Sequence, residues 1–331
     1  MSRRSRRSKR KLNSLFMMVL LTGMLLLSST YAWFSANKEV ALEGINAKVV
    51  AAEGLQISLD GEAWGSKITI NQENLAAATD NKYRWPDALV PVSTVGASSD
   101  GKMNIFYGDV SADGTQLTNA AAESDDSTTK YIVFDLYFKN SSSKIEDILQ
   151  LNTGTMVEIA DDGKDGTGLE NCVRSAVVLY ENTVNMTDDG ATIRKIAAGT
   201  PLVSIWEPNY KKHIAEVVKN DSTRIPQSDT DFTTLGVKQV GEGTVTGING
   251  TSPNEFIDNQ VTVKTDGTVG EATDLTDIKS TQLMLKQNSV MKARVYIWLE
   301  GQDPDCIDTA STGKSIDLVL GFTKPAVETG P

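Results

Sequence analysis

The sequence predicts an all-β fold, an antiparallel β-sandwich with long polar loops and minor helices, preceded by an N-terminal signal helix. Three observations carry this expectation. Strand-length apolar runs with period-2 alternation recur along the chain, most clearly in KYIVFDLYFKN at 130–140. Clusters of Asp, Asn, Gly and Ser separate them, as turns between short strands do. Helical patterns beyond the first forty residues are few and short, so about ten strands remain to form the core. Residues 33–331 are expected to form one such domain, with a polar elaboration at about 207–280.

Ile45 to Leu59 reads as a strand, a turn at Glu53-Gly54 and a strand, closed by Asp60-Gly61. Asn71 to Ala78 predicts a short helix, and Trp85-Pro86 forces extended backbone at Trp85 because the proline ring crowds the residue before it. Ser98 to Thr129 reads as a surface excursion around one small strand, Met103 to Tyr107. In Lys130 to Asn140, Ile132, Phe134, Leu136 and Phe138 alternate with Tyr131, Val133, Asp135 and Tyr137. This gives one wholly apolar face and predicts a central place in a sheet. Asn171 to Tyr180 repeats the pattern through Val173, Val177 and Leu179, and Pro201 to Trp206 adds a short run.

From Glu207 to Ser280 only a helix at Tyr210 to Lys219 and a strand at Gln260 to Lys264 are expected. Thr281 to Leu285 and Ser289 to Gly301 read as paired strands around Gln287-Asn288, with Ala293, Val295, Ile297 and Leu299 facing one way. Ser315 to Phe322 closes the set and, so near the terminus, is expected deep in a sheet.

Charge is unevenly distributed. Seven basic and no acidic residues precede Trp33, which leaves 25 basic against 43 acidic residues and a formal net of −18 for the rest. Such a body argues against nucleic acid and anionic surfaces as partners. Arg3, Arg4, Arg6, Arg7, Lys9, Arg10 and Lys11 form a positive n-region, and Leu15 to Leu27 is an apolar run of signal length. Small residues Thr30 and Ala32 at positions −3 and −1 predict peptidase cleavage after Ala32 and a mature start at Trp33, so 1–32 is the signal peptide. An uncleaved anchor is the alternative, since Leu15 to Phe34 is long enough to span a bilayer. Either outcome places the body outside. The tail from Thr323 to Pro331 shows no sortase-type motif, which predicts no covalent wall anchoring by that route.

The junction SSTYAWFSANKEV, followed by ALEGINAKVVAAEGLQISLDGEAW, resembles exported proteins of Gram-positive bacteria with the specialised signal peptide of the TasA and camelysin group. The likeness covers about Leu12 to Trp64. It continues in style at KYIVFDLYFKN, at GLENCVRSAVVLY (168–180) and at RVYIWLEGQDPDC (294–306). The resemblance implies a jelly-roll sandwich, export to the cell surface or matrix, and assembly into fibres.

Chemical signals are sparse. Camelysin-like proteins have been classed as metallopeptidases, but catalytic zinc needs several histidine or equivalent ligands, and this chain has one histidine, His213. No base accompanies Cys172 or Cys306 in a nucleophile motif, so no catalytic residue, enzyme activity or cofactor is expected. The two cysteines are either one disulfide or two separate buried thiols. A bridge would close a loop of about 134 residues, which the chain-entropy model values at roughly 5 kcal/mol. Asp161, Asp162 and Asp165, and Asp303 and Asp305, offer oxygen-rich loops of the kind calcium prefers, against the competing reading as solvated turns. Trp33, Trp64, Trp85, Trp206 and Trp298 are either sugar-stacking platforms or core residues.

The expected function is therefore structural: a secreted surface or matrix protein whose partners are its own copies or related matrix proteins, with signal peptidase during export. Val40, Leu42, Ile45 and Val49, freed behind Trp33, are candidates for a donor strand that completes a neighbour's sheet. Pairing of the same segment within its own domain is the alternative. A monomeric adhesin for glycans or host proteins is the competing function.

Overall fold

A computed structural model describes residues 17–18, 44–51, 54–98, 100–110, 116–141, 146–148, 150–151, 156–159, 168–199, 201–206, 235–239, 244–249, 284–301, 303, 305–306 and 315–323. In chain order the elements are β1 (Gly44–Ala51), β2 (Leu55–Ser58), β3 (Lys67–Ile70), α1 (Gln72–Ala77), β4 (Ser93–Ala97), β5 (Met103–Val110), β6 (Gln116–Glu123) and β7 (Ile132–Asn140). They continue with β8 (Glu146–Ile148), β9 (Gln150–Leu151), β10 (Met156–Ile159), α2 (Leu169–Cys172), β11 (Val173–Asn185), α3 (Gly190–Ile193) and β12 (Leu202–Trp206). The last are β13 (Leu235–Gln239), β14 (Thr244–Asn249), β15 (Met284–Lys286), β16 (Ser289–Leu299) and β17 (Ser315–Thr323). The described chain is thus mostly β, with antiparallel pairing dominant and helices of one or two turns.

The central sheet runs β12-β11-β16-β7-β2, all antiparallel. A second sheet runs β10-β17-β1-β3, with β9 also on β17. Their apolar side chains fall into one buried cluster. Ala47, Val49, Ile316, Leu318, Leu320 and Phe322 of the second sheet join Ile132, Phe134, Leu136, Phe138, Val295 and Ile297 of the central one. The period-2 pattern explains why: alternate residues of a strand share a face, and one shared apolar face is buried against another. Phe138 and Phe322 meet edge to face across this core, with ring centroids 4.7 Å apart.

The opposite face of the central sheet is buried as well. Tyr131, Val133, Tyr137, Ala176, Val178, Tyr180, Tyr296 and Trp298 cluster there with Met103 and Ile105 of β5 and with Ile193 at the end of α3. Every residue of β16 is buried. Nearly continuous apolar runs such as YIVF and VYIWL fit strands covered on both sides.

Several expectations meet their elements. Gly54, in the expected turn, lies at φ +75°, a conformation that glycine adopts without steric cost, between β1 in the second sheet and β2 in the central one. Helix α1 starts at Asn71, whose side chain accepts a hydrogen bond from Asn74 N at 2.8 Å, a normal N-cap. β17 lies between β10 and β1, deep in its sheet.

Other expectations are corrected. β1 and β17 pair in parallel, from Gly44 opposite Ser315 to Ala51 opposite Phe322, inside a fold expected to be antiparallel throughout. Parallel neighbours need a long connection between them, and nearly the whole chain separates these two. β15 pairs with β8, and β16 with β11 and β7, so the strands flanking Gln287-Asn288 are not each other's partners. Asn288, at φ +57°, turns the chain out of one sheet into another, donating through its N–H to Asn140 O. The stretch read as an excursion around one strand contains β5 and β6 and follows β4. These three form a further sheet with β13 and β14, in the order β13-β14-β6-β5-β4. The polar region thus contributes two strands to a sheet. The helix expected at Tyr210 to Lys219 and the strand at Gln260 to Lys264 lie outside the described residues, as does the signal segment apart from Met17 and Met18, which are helical.

Candidate functional site

The three segments KYIVFDLYFKN, GLENCVRSAVVLY and RVYIWLEGQDPDC become β7, β11 and β16, neighbours in the central sheet. On their second face the register sets Asp135 of β7 directly opposite Arg294 of β16. Asp135 is 1 % exposed. Its carboxylate accepts from Arg294 Nε at 3.0 Å and pairs with Lys292 Nζ at 2.8 Å. Asn81 ties the same residue through the backbone, donating from Nδ2 to Asp135 O at 2.8 Å and accepting from Asp135 N at 3.1 Å. Asp125 extends the network: it accepts from Tyr296 Oη at 2.7 Å, Tyr131 Oη at 2.9 Å and Arg294 Nη1 at 3.3 Å. Two carboxylates and two cations are thereby neutralised in a largely dry place, where an unpaired charge would be expensive. A cavity of about 560 Å³ lies beside this network, lined by Asn81, Tyr83, Arg84, Trp85, Asp125 and Arg294 among others.

The phenols here carry a pH signature. Burial pushes Tyr131, Tyr137, Tyr180 and Tyr296 above their ordinary range. Asp125 adds to this at Tyr131 and Tyr296, and Asp135 at Tyr137 and Tyr180. In the unfolded chain the same groups ionise near pH 10. Above that pH the native state holds more protons than the unfolded state, so stability is intact below about pH 10 and falls as pH rises. Each phenol that stays neutral in the fold removes up to about 1.4 kcal/mol per pH unit there. The denaturant midpoint is expected to hold to about pH 10 and drop steeply above it, and the absorbance of the buried phenols as phenolate should rise together with unfolding. Phenolate absorbance rising near pH 10 with an unchanged midpoint would contradict this.

A second buried cluster sits where α2 meets the loop after β16. Arg174 Nη2 pairs with Asp303 Oδ2 at 2.7 Å, and each side chain is 1 % exposed. Arg174 Nη1 also donates to Asn171 O at 2.8 Å. Asp305, wholly buried, accepts from Asn171 Nδ2 at 2.7 Å. Glu300, equally buried, accepts from Ser93 Oγ and from Trp298 Nε1 at 3.2 Å. The oxygens of Asp303 and Asp305 thus meet protein donors, where the sequence suggested calcium ligands or solvated turns. Asp161, Asp162 and Asp165 lie outside the described residues. Among the described residues no group of three histidine, cysteine or acidic side chains could hold a metal ion.

Cys172 and Cys306 are both buried, and the fold brings them together within this cluster. Cys172 Sγ donates to Gly168 O at 3.4 Å, and Cys306 lies in the same buried cluster. Burial, the Cys306 thiol and the nearby Asp303 push the Cys172 thiol well above its ordinary range.

Trp298 is a core residue, 1 % exposed, while Trp64 and Trp85 are half-buried. Lys139 Nζ stands 4.3 Å from the Trp64 ring centre. Nothing is described of Trp33 or His213, nor of the side chain of Trp206. Thr30, Ala32, Val40 and Leu42 also lie outside the described residues. Ile45 and Val49 belong to β1 and pair in their own sheet, opposite Ile316 and Leu320.

Sequence reasoning missed Asp135, Arg294, Lys292, Asp125, Asn81 and Arg174. A charged residue in an alternating strand reads as a solvent-facing position. The available signal was the aromatic residues around these charges, Tyr131, Tyr137, Tyr296 and Trp298, which mark the second face as buried too.

No family model, curated protein or solved structure matches this chain.

Proposed function

We propose that this chain is an exported structural protein of the cell surface or extracellular matrix, a jelly-roll-like β-sandwich that assembles with its own copies through strand pairing. The observation that carries the reading is the place of β1. It begins at Gly44 and is fixed between β17 and β3, with eight partners on one side and four on the other. A chain cut after Ala32 would therefore start with eleven residues, Trp33 to Glu43, attached directly to a strand locked inside the sheet. Those residues include Trp33, Phe34, Val40 and Leu42, apolar enough to add to an open sheet edge. The donated part is confined to this segment, because Ile45 and Val49 are taken in cis. Among the described strands, β12, with sequence LVSIW, pairs only with β11 and so offers such an edge. The likeness of the leader junction to the TasA and camelysin group supports the same reading, and two sheets sharing the Phe138 and Phe322 contact suit a sandwich.

N-terminal sequencing and size-exclusion chromatography of secreted material test this. A start at Trp33 together with high-mass species is expected, and a monomer still carrying the leader would overturn it. One observation favours a second reading, a monomeric binding module for glycans or proteins: the cavity that sets Trp85 and Tyr83 beside Asn81, Arg294 and Asp125. A monomer that binds a glycan array would support that reading over assembly.

A further inference from the structure

We propose that Cys172 and Cys306 close to a disulfide in an oxidising compartment, a covalent clasp between the end of α2, just before β11, and the loop that follows β16. Nothing local brings them together, since 134 positions separate them. The sheet does so. β11 and β16 run antiparallel with Val173 opposite Leu299, so the residues just before one strand face those just after the other. Glu300 N donates to Cys172 O at 2.8 Å, and Asn171 and Asp305, the immediate neighbours of the two cysteines, are hydrogen-bonded at 2.7 Å.

Asp303, Asp305 and Cys306 are held in place. Asp303 N donates to Glu300 O at 3.1 Å, Cys306 N to Asp303 O at 3.0 Å and Asp305 N to Asp303 Oδ1 at 2.8 Å. Arg174, two residues beyond Cys172, fastens Asp303 from the other side. These contacts fasten the segments that carry the two cysteines to each other, in a site where the cysteines are 0 % and 2 % exposed.

The oxidant is a disulfide of an exchange partner, a small molecule or a thiol oxidoreductase. One cysteine thiolate attacks that disulfide, and one partner sulfur leaves as a thiolate. The second cysteine thiolate then attacks the mixed disulfide and expels the other partner sulfur. Two S–H bonds are lost and one S–S bond forms in this chain, while two electrons and two protons pass to the partner, which ends as a pair of thiols. Only thiolates react, and burial keeps the Cys172 thiol protonated, so the exchange belongs to the folding or locally open chain.

The clasp depends on the export reading only for its compartment; the geometry stands without it. The test refolds the full reduced chain in mixed oxidised and reduced glutathione, quenches with iodoacetamide under denaturing conditions and measures intact mass. A product about 2 Da lighter than the reduced chain, with no adduct, is expected. Two alkylated cysteines, or glutathione retained on either, would overturn the proposal. The oxidised chain should also unfold at higher denaturant than a C172A/C306A double variant, and equal midpoints would remove the clasp's stabilising role. Free thiols in secreted material from a chain that closes in glutathione would count against an oxidising compartment and leave the pairing supported.

Discussion

Asp135→Ala should destabilise the fold by about 3–5 kcal/mol, the range for removing one partner of a buried ion pair. The carboxylate is the counter-charge for both Arg294 and Lys292, at 3.0 and 2.8 Å, and all three residues are buried. Without it, among the described residues, Arg294 keeps its longer contact to Asp125 at 3.3 Å. Lys292 is left with the faces of Tyr137 and Tyr180, 5.8 and 5.3 Å from their ring centres, which cannot replace a carboxylate. The loss is one of unpaired charge and not of volume. A quadruple variant that also changes Lys292 and Arg294 to methionine and Asp125, the other carboxylate paired with Arg294, to asparagine should therefore recover much of it, because no buried charge then lacks its partner. Urea unfolding at neutral pH checks both statements. A loss under about 1 kcal/mol for Asp135→Ala would show that the network is hydrated and loosely held.

Phe138→Ala is expected to cost about 3–5 kcal/mol through a different cause, the cavity left in a packed core. Phe138 is wholly buried, sits opposite Met291 and Ile57 in the central sheet, and meets Phe322 of β17 across the two sheets. Phe322 in turn stands opposite Ala51 of β1, so the ring pair couples the central sheet to the parallel β1 and β17 pair. Removing either ring should loosen that contact. A double-mutant cycle with Phe322→Ala should give a coupling of about 0.5–1.5 kcal/mol, the usual worth of an aromatic pair beyond its buried area. Additive effects of the two substitutions would mean that the rings pack independently.

Much of the fold was legible because period-2 alternation is a local property. β7, β11, β16 and β17 could be found from their own residues, and Asn71 announced the helix it caps. Pairing was less legible. The parallel match of β1 with β17 joins the two ends of the described domain, and β15 leaves its sequence neighbour for β8. Such registers depend on contacts that no window of sequence contains. β6, β13 and β14, with runs such as QLTNAAAE and TVTGIN, lack the bulky alternation that marks a half-buried strand.

The polar clusters were hidden for a related reason. A charge in a strand is normally exposed, so Asp135 and Arg174 were legible as positions but not as buried ion-pair partners. Asp303 and Asp305 looked like ligands for calcium because spacing alone cannot reveal Arg174 and Asn171 beside them. Two cysteines in a chain predict either a bond or two thiols. Only the antiparallel meeting of β11 and β16 shows that they are neighbours.

The proposed assembly through the segment ahead of β1 is tested most directly by comparing two forms of the chain, one beginning at Trp33 and one at Gly44, by size-exclusion chromatography and negative-stain electron microscopy. The longer form is expected to give high-mass species and filaments, and the shorter form, which keeps β1 and all its described partners, to remain a folded monomer. Filaments of equal yield from both forms, or a monomer from both, would contradict strand donation by Trp33 to Glu43.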